Sequence, residues 1–268
     1  MSASDRIDRG RQLVPAQRRQ LIADLIRDTG SVSVSDLETR FGISPMTARR
    51  DLQLLAQEGR AHRTHGGAVA AKLARDEDAF ASRLAEAADA KARLGAAAAA
   101  LIGDGETVFV DCSTTAYYAM RSLLDSGRSA TVLTPSVPVM DLLARSDAAQ
   151  IELIGLAGSL RRLTSSFVGP QTVRTILDHF ADKLLFSVKG LAPSNVLTDA
   201  NPLEAEVKRT MIERARESIL LIDGSKFDNP GLSAIAPVDA IDTVLVADAE
   251  RGQLRSLADT PARVEAVG

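Results

Sequence analysis

The sequence predicts an α/β protein: an N-terminal winged helix-turn-helix domain followed by a C-terminal domain with a mainly parallel α/β sheet. Three observations predict it. Two capped helix patterns meet at a glycine turn between Ser35 and Gly59, and a basic Gly-Gly segment follows. Beyond Gly105, short apolar strands alternate with helices. At 268 residues and 45% hydrophobic content, the chain can fill one small core and one medium one.

The first helix of the head opens at Pro15, carries Leu21, Ile22, Leu25 and Ile26 on one face, and ends near Gly30. Ser35 with Glu38 three residues on reads as a capping box, starting a second helix at about Asp36. Leu37 and Phe41 give it an apolar face, and Gly42 ends it. Ser44 is a second N-cap with Pro45 at the first helical position. The third helix runs from Pro45 to about Glu58 and stops at Gly59. Ala48, Leu52 and Leu55 form its stripe; Thr47, Arg49, Arg50 and Gln53 lie off it and face a partner. Arg60, His62, Arg63 and His65 precede Gly66-Gly67 as a basic hairpin.

Two helices joined by a short turn push the second forward into a DNA major groove, where arginine forks grip guanine edges. A basic hairpin beside it touches phosphate or the minor groove. The DNA-contacting set is therefore Ser35, Ser44, Pro45, Met46, Thr47, Arg49, Arg50, Gln53, Arg63 and His65. A solvated charged helix is the plainer reading of Arg-Arg alone; two caps, a turn and a basic tail favour double-stranded DNA.

Charge supports the division. Residues 1–66 carry a balance of +3 and the remainder −6, a mildly basic head on an acidic body. No apolar run approaches the ~20 residues of a membrane span. The start, MSASDRIDRGRQLV, is charged where a signal peptide is apolar, so a cytoplasmic protein without a membrane partner is expected. One cysteine excludes an intrachain disulfide, and three histidines lack ligand spacing, so neither metal nor cofactor is implied.

The segment TARRDLQLLAQEGRAHRTHGGAV closely resembles the N-terminal signature of DeoR-type bacterial transcriptional regulators. Ser44, Thr47, Arg49, Arg50, Asp51, Leu52, Leu55, Gly59, Arg63, His65, Gly66, Gly67 and Ala68 fall on that pattern, while Ala48 replaces its usual Ile. The resemblance covers most of the chain. It implies a DNA-binding head at 1–69, a linker at 70–82 and a sugar-phosphate-sensing body at 83–268, similar to ribose-5-phosphate isomerase.

In the body, an Ala-rich helix is expected from about Arg83 to Ile102. Strands follow at 107–111, 130–134, 151–155, 183–188, 219–223 and 243–247, with helices around 115–125, 136–146, 169–180 and 203–217. Apolar strands of this kind are buried on both faces, and ligands sit beyond their carboxyl ends.

Four loops there form the candidate effector site. Asp111, Ser113, Thr114 and Thr115 lead into a helix whose free amides suit phosphate. They resemble the D-x-G-T-T loop of the DeoR-type domain, with Ser113 where Gly is usual. Cys112 reads as a small buried cysteine; a C-x5-R cradle needs arginine at 118, which is Tyr118. Gly158 and Arg161 stand in a loop where the family shows G-G-x-x-R and this chain has Ala157. Lys189 ends a strand beside Gly190, and Asp223 with Lys226 matches the family's D-x-S-K. Glu204 and Lys208 form an i,i+4 pair or cover the pocket.

The related isomerases carry a D-G-A-D segment where this chain reads FSVKG, and ungapped counting puts their glutamate base on Lys208. The expectation is therefore a non-enzyme. It is a repressor of carbohydrate or polyol metabolism genes, released by a phosphorylated sugar or polyol and acting as a homodimer or homotetramer on an operator. The alternatives are a phosphosugar isomerase-like enzyme with a DNA-binding appendage, and a regulator that senses through protein contact.

Overall fold

The structure is a computed structural model that describes residues 14–29, 31–58, 60–63, 66–70 and 80–268. Two compact units divide between Glu77 and Asp78.

The head contains α1 (Pro15–Thr29), β1 (Ser31–Ser33), α2 (Val34–Phe41), α3 (Pro45–Gln57), β2 (Ala61–Arg63) and β3 (Gly67–Ala70). Ile22, Ile26, Leu37, Ala48, Leu52 and Leu55 are fully buried in its core. Leu21 is partly exposed and not on the buried face, a correction to the expected stripe. The three strands form an antiparallel sheet ordered β1-β3-β2. β2 and β3 are the expected hairpin, and β1 is a third strand that the sequence did not announce.

That strand moves the helix cap. Ser33 pairs with Gly67 and is held extended. Its Oγ accepts from the Asp36 amide at 3.0 Å, and Asp36 Oδ2 accepts from the Ser33 amide at 3.0 Å. The capping box is thus Ser33–Asp36, not Ser35–Glu38, and α2 starts two residues earlier than expected. Hydrogen bonds from Ser33, first its side chain and then its backbone, hold the Asp36 carboxyl below its ordinary range. Ser33→Ala should destabilise the head by about 1 kcal/mol in denaturant titrations, whereas Ser35→Ala should cost less than about 0.5 kcal/mol. Gly42 ends α2 at φ 63°, the left-handed angle glycine adopts freely. Gly67 is required for space: a Cβ there would overlap the Val32 carbonyl.

In the body, the expected Ala-rich helix is two helices, α4 (Phe80–Ala85) and α5 (Ala88–Ala100). They break at Ala87, which has φ 47°. Then come β4 (Glu106–Val110), α6 (Thr114–Ser126), β5 (Ala130–Thr134), α7 (Val137–Ala144) and β6 (Ile151–Gly155). A hairpin of β7 (Ser159–Arg161) and β8 (Ser166–Val168) leads to α8 (Pro170–Leu177) and β9 (Ala181–Phe186). β10 (Gly190–Leu191), β11 (Val196–Asp199), α9 (Pro202–Arg214), β12 (Ala215–Asp223) and β13 (Ser233–Pro237) follow. β14 (Thr243–Ala247), α10 (Arg251–Ser256) and β15 (Arg263–Val267) close the chain.

Seven strands make one sheet, ordered β15-β14-β12-β9-β4-β5-β6, with every pairing parallel. Two apolar layers cover it. One is built on Leu94, Ala98, Met120 and Leu123 from α5 and α6, the other on Ile176, Ala205 and Met211 from α8 and α9. The helix expected to reach 217 ends at Arg214, because residues 215–217 already pair with β9. From β4 the chain winds one way to β5 and β6, then returns to β9 and winds the other way. The carboxyl ends of β4 and β9 therefore flank the switch point, where open sheets of this type hold ligands.

Candidate functional site

α3 carries most of the residues expected to meet DNA, and several of them are exposed. Ser44 caps the helix, its Oγ accepting from the Thr47 amide at 3.2 Å, with Pro45 at the first position. Met46 is 79% exposed. Arg49, Arg50 and Gln53 are also exposed. At spacings i, i+3, i+4 and i+7 these four form one continuous outward stripe. Ser35 stands on α2, bonded through its Oγ to Ser33 Oγ at 2.8 Å. Arg63 lies in β2 opposite Ala68, but its side chain is outside the described residues, as is His65. Asp51 falls on the family pattern, but the sequence assigned it no role. It is 2% exposed and accepts from Arg18 Nε at 2.6 Å, tying α3 to α1 behind the reading face.

In the body, Asp111, Ser187–Lys189 and Asp223 emerge at the carboxyl ends of β4, β9 and β12, three adjacent strands. Ser113 caps α6 at φ −76°, an ordinary angle, so serine in place of glycine strains nothing. Its Oγ accepts from the Ala116 amide at 3.1 Å and donates to Asp111 Oδ1 at 2.5 Å. The α6 N-terminus follows the carboxyl end of β4, which flanks the switch point. Thr114 and Thr115 are buried in its first turn.

Asp111 is turned inward. Its Oδ1 accepts from the Ser113 amide at 2.9 Å, and its Oδ2 from the Ser187 amide at 3.2 Å. Lys208 Nζ lies 3.3 Å from that same Oδ2 and 2.7 Å from Asp199 Oδ2, and it donates to the Ser187 carbonyl at 2.7 Å. Burial pushes the Lys208 ammonium down, but Asp199 and Asp111 outweigh it, and the net shift is upward. Glu204 does not pair with Lys208. Its Oε1 accepts from Thr164 Oγ1 and from Ser166 Oγ at 3.0 Å, with Arg161 Nη1 at 3.7 Å. Burial, then the Asp199 carboxylate, raises the Glu204 pKa above its ordinary value. The simple surface pair is thus replaced by two buried networks on one face of α9. Glu204 and Lys208 are buried on α9 together with Ala205 and Met211.

The other predicted residues divide. Arg161 reaches Thr164 Oγ1 at 3.1 Å and faces Glu204. Gly158 serves packing, since a Cβ there would overlap Thr172 Oγ1 in the first turn of α8. Asp223 caps the turn at 224–226, accepting from the Ser225 amide at 2.8 Å. Lys226 is half-buried and makes no hydrogen bond or ion pair with a described residue. Burial lowers its ammonium below the ordinary range against the pull of Asp223, with Lys189 and Arg83 adding to the fall. Burial likewise pushes the Cys112 thiol well up, which leaves it inert. FSVKG has no aspartate and Lys208 stands where counting puts the isomerase base, yet two carboxylates reach this region from elsewhere. Asp199 and Glu204 stand here, delivered by β11 and α9, which a count along one strand could not show.

Comparison with known proteins decides the family. Residues 18–73 match the DeoR-like helix-turn-helix domain, and residues 86–248 match the DeoR C terminal sensor domain. The chain belongs to the DeoR family. As a DeoR-family protein it is a DNA-binding transcriptional regulator with a sensor domain, and not an enzyme. It is 32% identical to the L-fucose operon activator of Escherichia coli over 86% of this chain and 94% of that protein. It is 30% identical to the transcriptional repressor AccR of Agrobacterium fabrum, over 85% and 88% respectively. The HTH-type regulator YulB of Bacillus subtilis is 30% identical over 95% of this chain and 98% of its own. Among solved structures, ribose 5-phosphate isomerase A of Methanocaldococcus jannaschii overlays with a TM-score of 0.38 at 16% identity, covering 52% of this chain and 54% of that one. That likeness is too slight to bear on function. Among the described residues no helix is long and apolar enough to cross a membrane.

Proposed function

We propose that this DeoR-family regulator is a cytoplasmic repressor of carbohydrate or polyol genes. Its head, residues 1–69, reads an operator, and its body, residues 83–268, releases it on binding a phosphorylated sugar or polyol. The observation that carries the reading is Lys226. It is half-buried, makes no hydrogen bond or ion pair with a described residue, and stands on the turn after the carboxyl end of β12, one of three adjacent strands whose ends also deliver Asp111 and Ser187–Lys189. A phosphate dianion adds counter-charge beside Lys226 and Lys189, and backbone amides at the start of α6 donate to its oxygens. Asp111, Ser113, Thr114, Thr115, Gly158, Arg161, Lys189, Asp223 and Lys226 form or support this site. Relatives named as repressors, AccR among them, support the sign of control, and the L-fucose operon activator, named for the opposite sign, supports a sugar operon as the setting. A small head binds one half-site weakly, so a homodimer or homotetramer on repeated half-sites supplies the affinity.

The test is a thermal-shift screen against sugar phosphates and their free sugars. A true effector stabilises by mass action, about 2.7 kcal/mol at one hundred times its dissociation constant. Its free sugar should give a far smaller shift. Lys226→Ala should leave operator affinity intact and raise the effector concentration needed for release about tenfold or more, the worth of one charge-assisted bond. An undiminished response in that variant removes Lys226 from the site. Equal stabilisation by free sugars removes phosphate from the reading.

A further inference from the structure

The buried carboxylates near the strand ends differ in what they can still accept. An ionised carboxylate offers about four acceptor positions. Asp111 has filled them. Its Oδ1 takes the Ser113 amide at 2.9 Å and the Ser113 hydroxyl at 2.5 Å, and its Oδ2 takes the Ser187 amide at 3.2 Å with Lys208 Nζ at 3.3 Å. Asp199 holds a donor on each oxygen, the Asn201 amide at 3.3 Å on Oδ1 and Lys208 Nζ at 2.7 Å on Oδ2.

Glu204 is arranged otherwise. It is 4% exposed, in the first turn of α9. All its described partners meet one oxygen. Thr164 Oγ1 and Ser166 Oγ donate to Oε1, and Arg161 Nη1 stands 3.7 Å from the same atom. Thr164 and Ser166 are themselves buried in the β7–β8 hairpin, so the carboxylate is fixed in direction. Oε2 accepts from no described residue, and it is not among the fully enclosed polar atoms that lack a partner. It therefore opens on space that a ligand group can enter. A carboxylate oxygen so nearly hidden from water is costly unless something donates to it. Glu204 is also tied to the proposed phosphate loop. Lys208 lies one turn along the same helix and reaches Asp111, which in turn holds Ser113, the cap of α6.

We propose that Glu204 is the hydroxyl-reading residue of the sensor domain: Oε2 accepts from a hydroxyl of the phosphorylated effector, while Thr164 and Ser166 hold the carboxylate still. The ligand class is a phosphate monoester of a polyhydroxylated carbon chain. A plain hydrocarbon chain of equal length strips water from Oε2 and gives no donor back, so the site rejects it. The inference rests on the effector reading above and adds the residue that tells a sugar chain from other phosphate esters.

The test uses the full chain with two probes, sorbitol 6-phosphate and hexyl phosphate. They share chain length and phosphate and differ in hydroxyls. By calorimetry the unaltered protein should bind the first at least about tenfold more tightly. Glu204→Gln keeps an oxygen for Thr164 and Ser166 but puts a neutral amide in place of Oε2. It should cut that ratio severalfold, with the loss falling on sorbitol 6-phosphate. Lys226→Ala should weaken both probes and keep the ratio. Equal binding of the two probes by the unaltered protein overturns the inference and leaves the anion site intact. An unchanged ratio in Glu204→Gln also overturns it, and moves the hydroxyl to Asp223, whose Oδ1 alone holds a described donor. Binding of neither probe overturns it as well, and the sugar-phosphate screen then judges the effector reading separately. If Glu204→Gln does not fold, hydrogen exchange on the unaltered protein decides. Sorbitol 6-phosphate should slow the amides of 161–166 severalfold more than hexyl phosphate, and equal slowing overturns the assignment.

Discussion

Lys208→Met should destabilise the sensor domain by about 3–5 kcal/mol, a large part of what a domain of this size possesses. The ammonium is 4% exposed, and it lies 2.7 Å from Asp199 and 3.3 Å from Asp111. Methionine keeps the volume and removes the charge, so two buried carboxylates are left facing each other without a counter-ion. Denaturant titration of the full chain checks this, read on the transition of the body. Lys208→Met combined with Asp199→Asn should recover a substantial part of the loss, because one uncompensated charge leaves with it. The sign with pH follows from the raised Lys208 pKa. Its contribution is fully present below the ordinary lysine value of 10.5 and is lost only as pH climbs through the higher folded value. A loss under about 1 kcal/mol, or no recovery in the double variant, would show that the network is not what holds α9 to the strand ends.

Arg50→Ala should weaken operator binding by about 1–3 kcal/mol, roughly fivefold to 150-fold, and relax preference at one base pair. Arg50 is exposed on the first half of α3 and makes no hydrogen bond or ion pair with a described residue. Its removal should therefore change head stability by less than about 0.5 kcal/mol. The adjacent Asp51 gives the contrast. Asp51→Ala takes away the partner of Arg18 and should unfold the head more readily, so a loss of binding there reflects stability. Fluorescence anisotropy on operator variants, paired with unfolding curves, separates the two. Equal loss on every operator variant would assign Arg50 to phosphate contact and not to base reading.

These contrasts show what could be read from sequence. The α3 caps were legible because Ser44 and Pro45 act within one turn. The α2 cap was not. Both Ser33–Asp36 and Ser35–Glu38 satisfy the local rule, and the choice falls to the pairing of Ser33 with Gly67, 34 residues away. The central strands announced themselves because both faces are buried. β15, reading RVEAV at the sheet edge, did not, and neither did the two- to five-residue strands β7, β8, β10, β11 and β13. The loops of the proposed effector site were visible as strand ends and helix starts. The buried charges of α9 were hidden, because Glu and Lys four apart describe a solvated helix equally well. Only the fold brings Thr164, Ser166 and Asp199 to them.

The position of β4 in the interior of its sheet has a consequence for synthesis. Its two neighbours are β5 and β9, and the proposed effector site also includes Asp223 at the end of β12. The head is finished at Ala70. A ribosome adding 5–20 residues per second needs roughly 10–30 s to travel from there to Asp223. For that interval each nascent molecule carries a completed DNA reader and no means of hearing the metabolite.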